Sequence, residues 1–288
     1  MRDSSTAARS SSDLIAHDRF NGVPRERRAR IAPLGFHITL RLEDDRTIAT
    51  TAPALRTVAR VVLEQGEARG LLAFGTADNH VHAALATDAA TAGAFARYVE
   101  TALRWQLRLG ARFDRARIRP LHDQRHAYST FHYAHRQDSR HELELDRTRD
   151  GTSLPDLLGL RALDTSLITR VRTLLPRVRR EDLVAHFPQC VFDENASLDI
   201  DVLAESAAAA LALPHVFSRT VDAWRARRAA VHAANRKVPT RILADALRIG
   251  VRAVQEMGTQ SEEHVLVRAV QKQALLRMAM RAKTDAQQ

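Results

Sequence analysis

The sequence predicts an α+β protein, with an antiparallel sheet and its helices in the first half of the chain and helices alone in the second. Three patterns indicate this. Residues 35–42 alternate between apolar and polar side chains, which is typical of a half-buried strand. Strand-like and helix-like stretches then follow one another up to about residue 140. After Gly151 the strand patterns almost disappear, which favours a separate helical region.

The first strand and the first helix show opposite kinds of periodicity. In residues 35–42 every second side chain is apolar, and His37, Thr39 and Arg41 form the polar face between them. Residues 53–66 then place apolar side chains on one side of a helix that a proline opens. From the sequence, the polar face of the strand either belongs to a functional surface or is simply exposed to solvent.

The next elements complete a recognisable order. Residues 70–74 and 80–85 are joined by a short turn with a glycine, which is typical of a hairpin. The predicted elements are strands over 70–74, 80–85 and 117–119 and helices over 89–109 and 122–140. With the first strand and helix, the order is strand, helix, strand, strand, helix, strand, helix. This is a ferredoxin-like α+β pattern with an antiparallel sheet.

The second half of the chain consists of helical stretches that prolines separate. These stretches cover residues 154–175, 198–213, 216–234, 240–248 and 262–281. We therefore expect three parts: a disordered basic N-terminal arm over 1–33, a sheet domain over 34–150 and a helical domain over 151–288. The helices after Pro239 resemble in spacing a helix-turn-helix DNA-binding module. A plain helical bundle with a basic surface fits the same pattern.

Composition indicates the class of partner. The formal net charge of +10 comes almost entirely from arginine, and a chain this basic is attracted to polyanions, nucleic acid first. Arginine richness also follows from codon bias, so the net charge is the better argument. Cys190 is the single cysteine, which excludes an internal disulfide and fits a reducing cytoplasm. No apolar run approaches the length of a membrane span, so we expect no membrane partner.

A pair of histidines in the third predicted strand is the strongest chemical signal. His80 and His82 are two residues apart, so on a strand both imidazoles point to one face, where they can converge on a divalent metal ion. Val81 and Ala83 then point toward the core. With 13 histidines in the chain, such a triplet also arises by chance or on a partly exposed strand.

The helix over residues 122–140 supplies a nucleophile and a third ligand. Tyr133 and Gln137 are four residues apart and share one helix face. A glutamine oxygen suits Mg²⁺ or Mn²⁺, and a tyrosine beside the metal can attack a phosphodiester. The phenol has an ordinary pKa near ~10, so it needs a base or a nearby cation. Tyr128 is the rival nucleophile, but His132 and no glutamine lies four residues after it. Without the histidine pair, Tyr133 would read as a core residue and Gln137 as a surface residue.

These residues together resemble the single-tyrosine HUH transposases, and among them the REP-associated tyrosine transposases. The resemblance covers roughly residues 30–145, from the strand Gly-Phe-His-Ile-Thr-Leu-Arg through Asn-His-Val-His to the tyrosine and glutamine four residues apart. The histidine pair alone is weakly specific, whereas the combination is fairly specific. Many relatives have Asn-Pro where this chain has Gln137-Asp138. Glutamine is nevertheless a ligand in part of that superfamily.

The resemblance implies a DNA nicking and joining activity. Tyr133 would attack a phosphate of single-stranded DNA, giving a 5′-phosphotyrosine and a free 3′-hydroxyl. His80, His82 and Gln137 would hold Mg²⁺ or Mn²⁺, the DNA would carry a hairpin, and the protein would act as a homodimer. A non-catalytic DNA- or RNA-binding regulator with this fold, and a replication or relaxase-type nickase, are the alternatives. The expected DNA-binding side chains are those of Arg41, Arg125, Arg236, Lys237 and Arg241.

Overall fold

The computed structural model describes residues 32–136, 146–187, 199–234 and 238–285. The strands are β1 (Gly35–Arg41), β2 (Leu71–Thr76), β3 (His80–Leu85) and β4 (Arg117–Leu121). The helices that accompany the sheet are α1 (Ala52–Gly66), α2 (Ala89–Gln106) and α3 (Gln124–His135). The helices that follow are α4 (Leu154–Leu157), α5 (Leu167–Leu174), α6 (Arg180–Val184), α7 (Ile200–Ala210), α8 (Val221–Ala233), α9 (Thr240–Leu247), α10 (Val251–Thr259) and α11 (His264–Asp285).

The strands form an antiparallel sheet in the order β2-β3-β1-β4. This confirms the predicted α+β class and the order strand, helix, strand, strand, helix, strand, helix. The predicted short fourth strand is longer than expected and includes Pro120. A proline fits here because β4 is an edge strand, where one side of the backbone needs no hydrogen-bonding partner within the sheet.

Short polar residues define where the helices of the first half begin. The side chain of Thr51 accepts a hydrogen bond from the backbone N–H of Ala54 at the start of α1. Asp88 does the same for α2, and Asp123 accepts from the backbone N–H of His126, at 2.8 Å, at the start of α3. Such caps satisfy backbone donors that the first helical turn leaves without partners. The cap at Asp123 therefore fixes the register of α3.

The two faces of the sheet are covered differently. Helices α1 and α2 pack against one another and against the face that carries Ile38 and Leu40, and these side chains belong to the main apolar core. Helix α3 packs on the other face, mainly against β2 and β3. The half of that face formed by β1 and β4 carries polar side chains that are partly or fully exposed, such as His37 and Arg119. The fold therefore leaves a polar surface beside α3.

The predicted helix over residues 154–175 was wrong, because two helices with a break between them occupy this stretch. Gly159 follows α4 with a left-handed backbone (φ 65°), which ends the helix. Asp164 then accepts hydrogen bonds from the backbone N–H groups of Ser166 and Leu167 at the start of α5. The apolar periodicity continues across this break because both helices face the same core, so periodicity alone did not reveal it.

A buried ionic cluster joins the sheet region to the last helix. The carboxylate of Asp150 lies 3.1 Å from Nη1 of Arg56 on α1 and 2.7 Å from Nη2 of Arg277 on α11. Burial by itself would raise the pKa of Asp150, but the two guanidinium groups outweigh this effect and hold the pKa below its ordinary value. The cluster thus joins α1, which contributes to the apolar core under the sheet, to α11, which contributes to a second apolar core with α7, α8 and α9.

Several sequence predictions fall outside the described residues. These are the structure of residues 1–31, the glutamine ligand Gln137, the single cysteine Cys190 and the cations Arg236 and Lys237. The first apolar core extends past residue 150 through Leu154 to Leu183, and the boundary near 150 stays a prediction. Within the described part of the chain, no helix has the length and apolar character needed to cross a membrane.

Candidate active site on the polar sheet face

The polar residues of β1 and the histidines of β3 share one face of the sheet. In the antiparallel register Thr39 lies opposite His82, and Arg41 lies opposite His80. Residues directly opposite one another in such a pair point to the same side. His37 alternates with them and therefore also lies on this face. The sequence left open whether the polar face of β1 is the histidine face, and the register shows that it is.

The two histidine rings lie close together. The ring centres of His80 and His82 are 4.6 Å apart, and the ring planes are nearly perpendicular. His82 is buried, whereas His80 is partly exposed at the end of the strand. The strand geometry predicted from their spacing is therefore present, with both imidazoles side by side on one surface.

Hydrogen bonds hold the Nδ1 atom of each histidine. Nδ1 of His80 lies 2.8 Å from the carbonyl oxygen of the Asn79 side chain, an atom that accepts only, so this Nδ1 carries the proton. Nδ1 of His82 lies 3.2 Å from Oγ1 of Thr39 and 3.1 Å from Nε2 of His37. A histidine with its proton on Nδ1 has its lone pair on Nε2, which is the form that coordinates metal ions. The donor set at these two residues therefore suits a divalent cation.

The imidazole of His37 is neutral at neutral pH. Burial, followed by the positive charges of Arg119 and His126, lowers the pKa of His37 from 6.5 to about 4. A neutral ring can accept a hydrogen bond through Nε2, which is the atom facing His82. Burial is the larger of these effects, and the nearby cationic Arg119 adds to it because it disfavours a second positive charge.

Helix α3 places Tyr133 directly beside these histidines. The ring centre of Tyr133 lies 4.9 Å from that of His82 and 5.9 Å from that of His37, with edge-to-face geometry in both pairs. Tyr133 is partly exposed. Tyr128 lies elsewhere, with its ring 4.4 Å from His132. Of the two tyrosines considered, Tyr133 is the one that the fold brings to the histidine pair.

A glycine in β2 allows α3 to approach the sheet this closely. Gly75 lies opposite His82 in the sheet and under the C-terminal end of the helix. A Cβ atom on residue 75 would lie 1.8 Å from the carbonyl oxygen of Ala134, the residue that follows Tyr133. Any side chain at this position would push the helix away from the sheet. Gly75 is therefore a positioning residue for Tyr133 that the sequence pattern did not reveal.

The predicted DNA-binding arginines that the structure describes lie on three different elements. Arg41 is on the histidine face but pairs with Asp45 through Nε at 3.2 Å. Arg125 is exposed in the first turn of α3, and Arg241 is exposed in the first turn of α9. Among the residues that the structure describes, no group of three histidine, cysteine or acidic side chains could hold a metal ion. The helix predicted over residues 122–140 ends at His135, and the predicted third ligand, Gln137, lies outside the described residues.

Two arginines on this face were not expected from the sequence. Arg117 lies opposite Thr39, and Arg119 lies opposite His37, in the pairing of β4 with β1. Both side chains are exposed. The signal that could have found them is the alternation of Arg117, Ile118 and Arg119, but only the sheet register shows which face the arginines share.

The C-terminal helices contain a compact helix pair. Helices α9 and α10 pack together across the three-residue turn 248–250, in which Arg248 adopts a left-handed backbone (φ 53°). Val254 and Met257 bury one side of α10, and Arg252 is exposed on the other side. A packed helix pair of this kind fits both the helix-turn-helix-like module and the plain helical bundle that the spacing allowed.

Comparisons of the chain with protein-family models, curated proteins and solved structures find no match.

Proposed function

We propose that the chain is a DNA strand transferase of the single-tyrosine HUH type, in which Tyr133 cleaves single-stranded DNA and becomes linked to its 5′-phosphate. The observation that carries this proposal is the convergence of Tyr133, from α3, with the histidine pair of β3 on one polar face. A phenol next to two imidazoles that present metal-binding nitrogens fits phosphodiester chemistry. The net charge of +10 supports a polyanionic substrate.

In the proposed reaction the phenolic oxygen of Tyr133 attacks the scissile phosphorus atom. A bond forms between tyrosine and phosphorus, the bond from phosphorus to the 3′-oxygen breaks, and that oxygen leaves as a 3′-hydroxyl after it takes up a proton. The phenolic proton passes to solvent water, because the Nε2 lone pair of the neighbouring His37 ring is directed toward Nδ1 of His82. Attack by a second 3′-hydroxyl reverses these bonds and joins two strands.

The metal ion of this proposal is Mg²⁺ or Mn²⁺, held by His80, His82 and Gln137. A cation there supplies Lewis acidity toward the phosphate and stabilises the charge that develops in the transition state. The residues of the chain keep the ligands in place: Asn79 holds His80, and Thr39 and His37 hold His82. The dependence on the cation is testable by adding a chelator.

The decisive experiment looks for the covalent intermediate. The protein is incubated with Mn²⁺ and a pool of labelled single-stranded hairpins with randomised flanks, and a denaturing gel is examined for protein-linked label. We expect an adduct that chelation abolishes, that Tyr133→Phe abolishes, and that Tyr128→Phe retains. Tyr128 is the matched control because it lies on the same helix but contacts His132.

Other outcomes favour the alternatives. Binding of the pool without any adduct would contradict the enzyme and favour a non-catalytic DNA- or RNA-binding regulator. If the protein cleaves the strand and forms the adduct but does not join the strand to a second one, the result would favour a replication or relaxase-type nickase. The oligomeric state during the reaction, measured by light scattering, tests the expected homodimer.

We infer a second DNA contact at the helix pair α9 and α10. The three-residue turn and the exposed side of α10 favour binding of a duplex segment, such as a hairpin stem, by the second helix. Exposed Arg241 and Arg252 supply charge, although Arg252 also pairs with Glu256 at 2.9 Å. Loss of hairpin binding, but not of unstructured single-strand binding, in Arg252→Ala tests this contact.

A further inference from the structure

The open half of the polar face carries a row of cations on its edge strand. Because Arg117 lies opposite Thr39, and Thr39 lies opposite His82, these three residues form one row across β4, β1 and β3. Arg119 and His37 belong to the neighbouring row. The two arginines therefore lie on the surface that leads from the edge of the sheet to the histidine pair and Tyr133.

Strands β1, β3 and β4 place no acidic side chain on this surface. The residues that they point toward it are Gly35, His37, Thr39, Arg41, His80, His82, Ala84, Arg117, Arg119 and Leu121. Among the described residues, the exposed side chains of Arg117 and Arg119 form neither a salt bridge nor a hydrogen bond, whereas Arg41 is paired with Asp45. Charged side chains that the protein itself does not neutralise are the ones that can exchange counterions for phosphates.

The spacing and place of the two arginines suit a nucleic-acid backbone. Residues two apart on a strand are separated by about 6.5–7 Å, which is close to the separation of neighbouring phosphates in an extended single strand. The planar guanidinium group binds phosphate oxygens in pairs. Since β4 is an edge strand, a nucleic-acid strand that runs along it has a neighbouring strand of the sheet on one side only.

We propose that Arg117 and Arg119 form a phosphate-binding track that binds two neighbouring phosphates of a single strand of DNA running along β4, and so holds the strand beside the face that carries Tyr133. This inference rests on the proposed function for the identity of the polyanion and for the role of Tyr133. It adds a substrate-binding surface that is separate from the metal ligands and from the helix pair α9 and α10.

The test measures binding without chemistry. The affinity of the full chain for a fluorescent, unstructured single-stranded oligonucleotide is measured by anisotropy in EDTA over a range of NaCl concentrations. Each phosphate contact contributes about 0.7 to the slope of log affinity against log salt for single strands, so the Arg117→Ala/Arg119→Ala variant should lose roughly 1.4 from that slope. If the wild-type chain and the variant have equal affinities at 1 M NaCl, this corresponds to roughly 25-fold weaker binding by the variant at 0.1 M NaCl.

Two variants serve as controls. Arg97→Ala/Arg104→Ala removes the same charge from exposed positions on α2, which covers the opposite face, and should leave the slope nearly unchanged. Arg117→Lys/Arg119→Lys keeps the charge and should keep most of the slope, which shows that the alanine variant does not act through misfolding. An unchanged slope in Arg117→Ala/Arg119→Ala, or an equal loss in the α2 variant, would overturn the track.

The adduct experiment separates this proposal from the enzymatic one. If the wild-type chain forms no adduct but the alanine variant loses slope, the track is supported and the strand-transfer proposal fails. If the adduct forms but the slope is unchanged, the strand-transfer proposal stands and the track is wrong.

Discussion

Replacing Gly75 with alanine tests whether close packing of β2 against α3 positions Tyr133. The new Cβ atom would lie 1.8 Å from the carbonyl oxygen of Ala134, and Cβ atoms do not approach heavy atoms closer than 3.0 Å. The helix and the strand must therefore separate by at least about 1.2 Å at this point. Because the clashing oxygen belongs to backbone, no side-chain rotation relieves the contact, and the displacement passes directly to the adjacent Tyr133.

The size of the effect follows from this displacement. Overpacking of a tight contact costs about 1–3 kcal/mol in the free energy of unfolding. A misplacement on the order of 1 Å in a reacting group lowers the rate about 100-fold. We therefore expect Gly75→Ala to fold with reduced stability, to bind single-stranded DNA nearly as well as wild type, and to form the tyrosine adduct about 100-fold more slowly.

The assay combines urea denaturation, anisotropy binding and the time course of adduct formation. The matched control is Gly93→Ala, since a Cβ at Gly93, within α2, meets no atom within 4 Å. That substitution should stabilise the chain by about 0.5–1 kcal/mol and leave the adduct rate unchanged. Wild-type stability and a wild-type adduct rate in Gly75→Ala would refute the reasoning that this contact positions the nucleophile.

Three further predictions concern the buried charges and the histidines. Asp150→Asn removes the fully buried carboxylate of the cluster and leaves Arg56 and Arg277 only the partly exposed Glu205 as a shared acidic partner. Urea denaturation should therefore show a loss of about 3 kcal/mol, and a loss below about 1 kcal/mol would contradict a stabilising role for the cluster. Burial, followed by nearby positive charge, lowers the pKa of His186 from 6.5 to about 4 in the folded chain, so the unfolded chain binds more protons between these values. The contribution of His186 to the free energy of unfolding should be complete above pH 6.5 and fall as the pH drops toward 4. The loss should be on the order of 1–2 kcal/mol, because solvent screens a partly exposed ring. The variant His186→Gln should flatten that part of the curve. Thr39→Val removes a partner of Nδ1 of His82, so Mn²⁺ affinity measured by titration should fall about 10-fold, whereas unchanged affinity would show that Thr39 does not orient the ligand.

Much of the sheet region could be predicted because its signals are local. The alternation in β1, the hairpin of β2 and β3 and the apolar stripe of α2 each follow from side-chain periodicity. The histidine pair was identified on the same basis, since two residues apart on a strand must share a face. The helix over 154–175 was predicted wrongly because the left-handed turn at Gly159 leaves the apolar pattern intact.

The roles of Arg117, Arg119 and Gly75 could not be predicted without the assembled sheet. Arg117 and Arg119 are recognisable as one side of a strand, but a strand can pair in either register, and each shift by one residue exchanges its faces. Gly75 reads from the sequence as part of a turn, and its role appears only when α3 lies 1.8 Å from the place of its missing Cβ. Both facts concern partners that are 40 or more residues away in the chain.

The sequence by itself determined that His80 and His82 share a strand face and that the chain is basic. It also predicted that Tyr133 lies on a helix after the sheet. Only the tertiary structure decided that this helix crosses the histidine face and that the polar side of β1 belongs to the same surface. The reason is physical: periodicity is a property of neighbouring residues, whereas strand register and helix docking depend on which distant backbones approach closely enough to pair and pack.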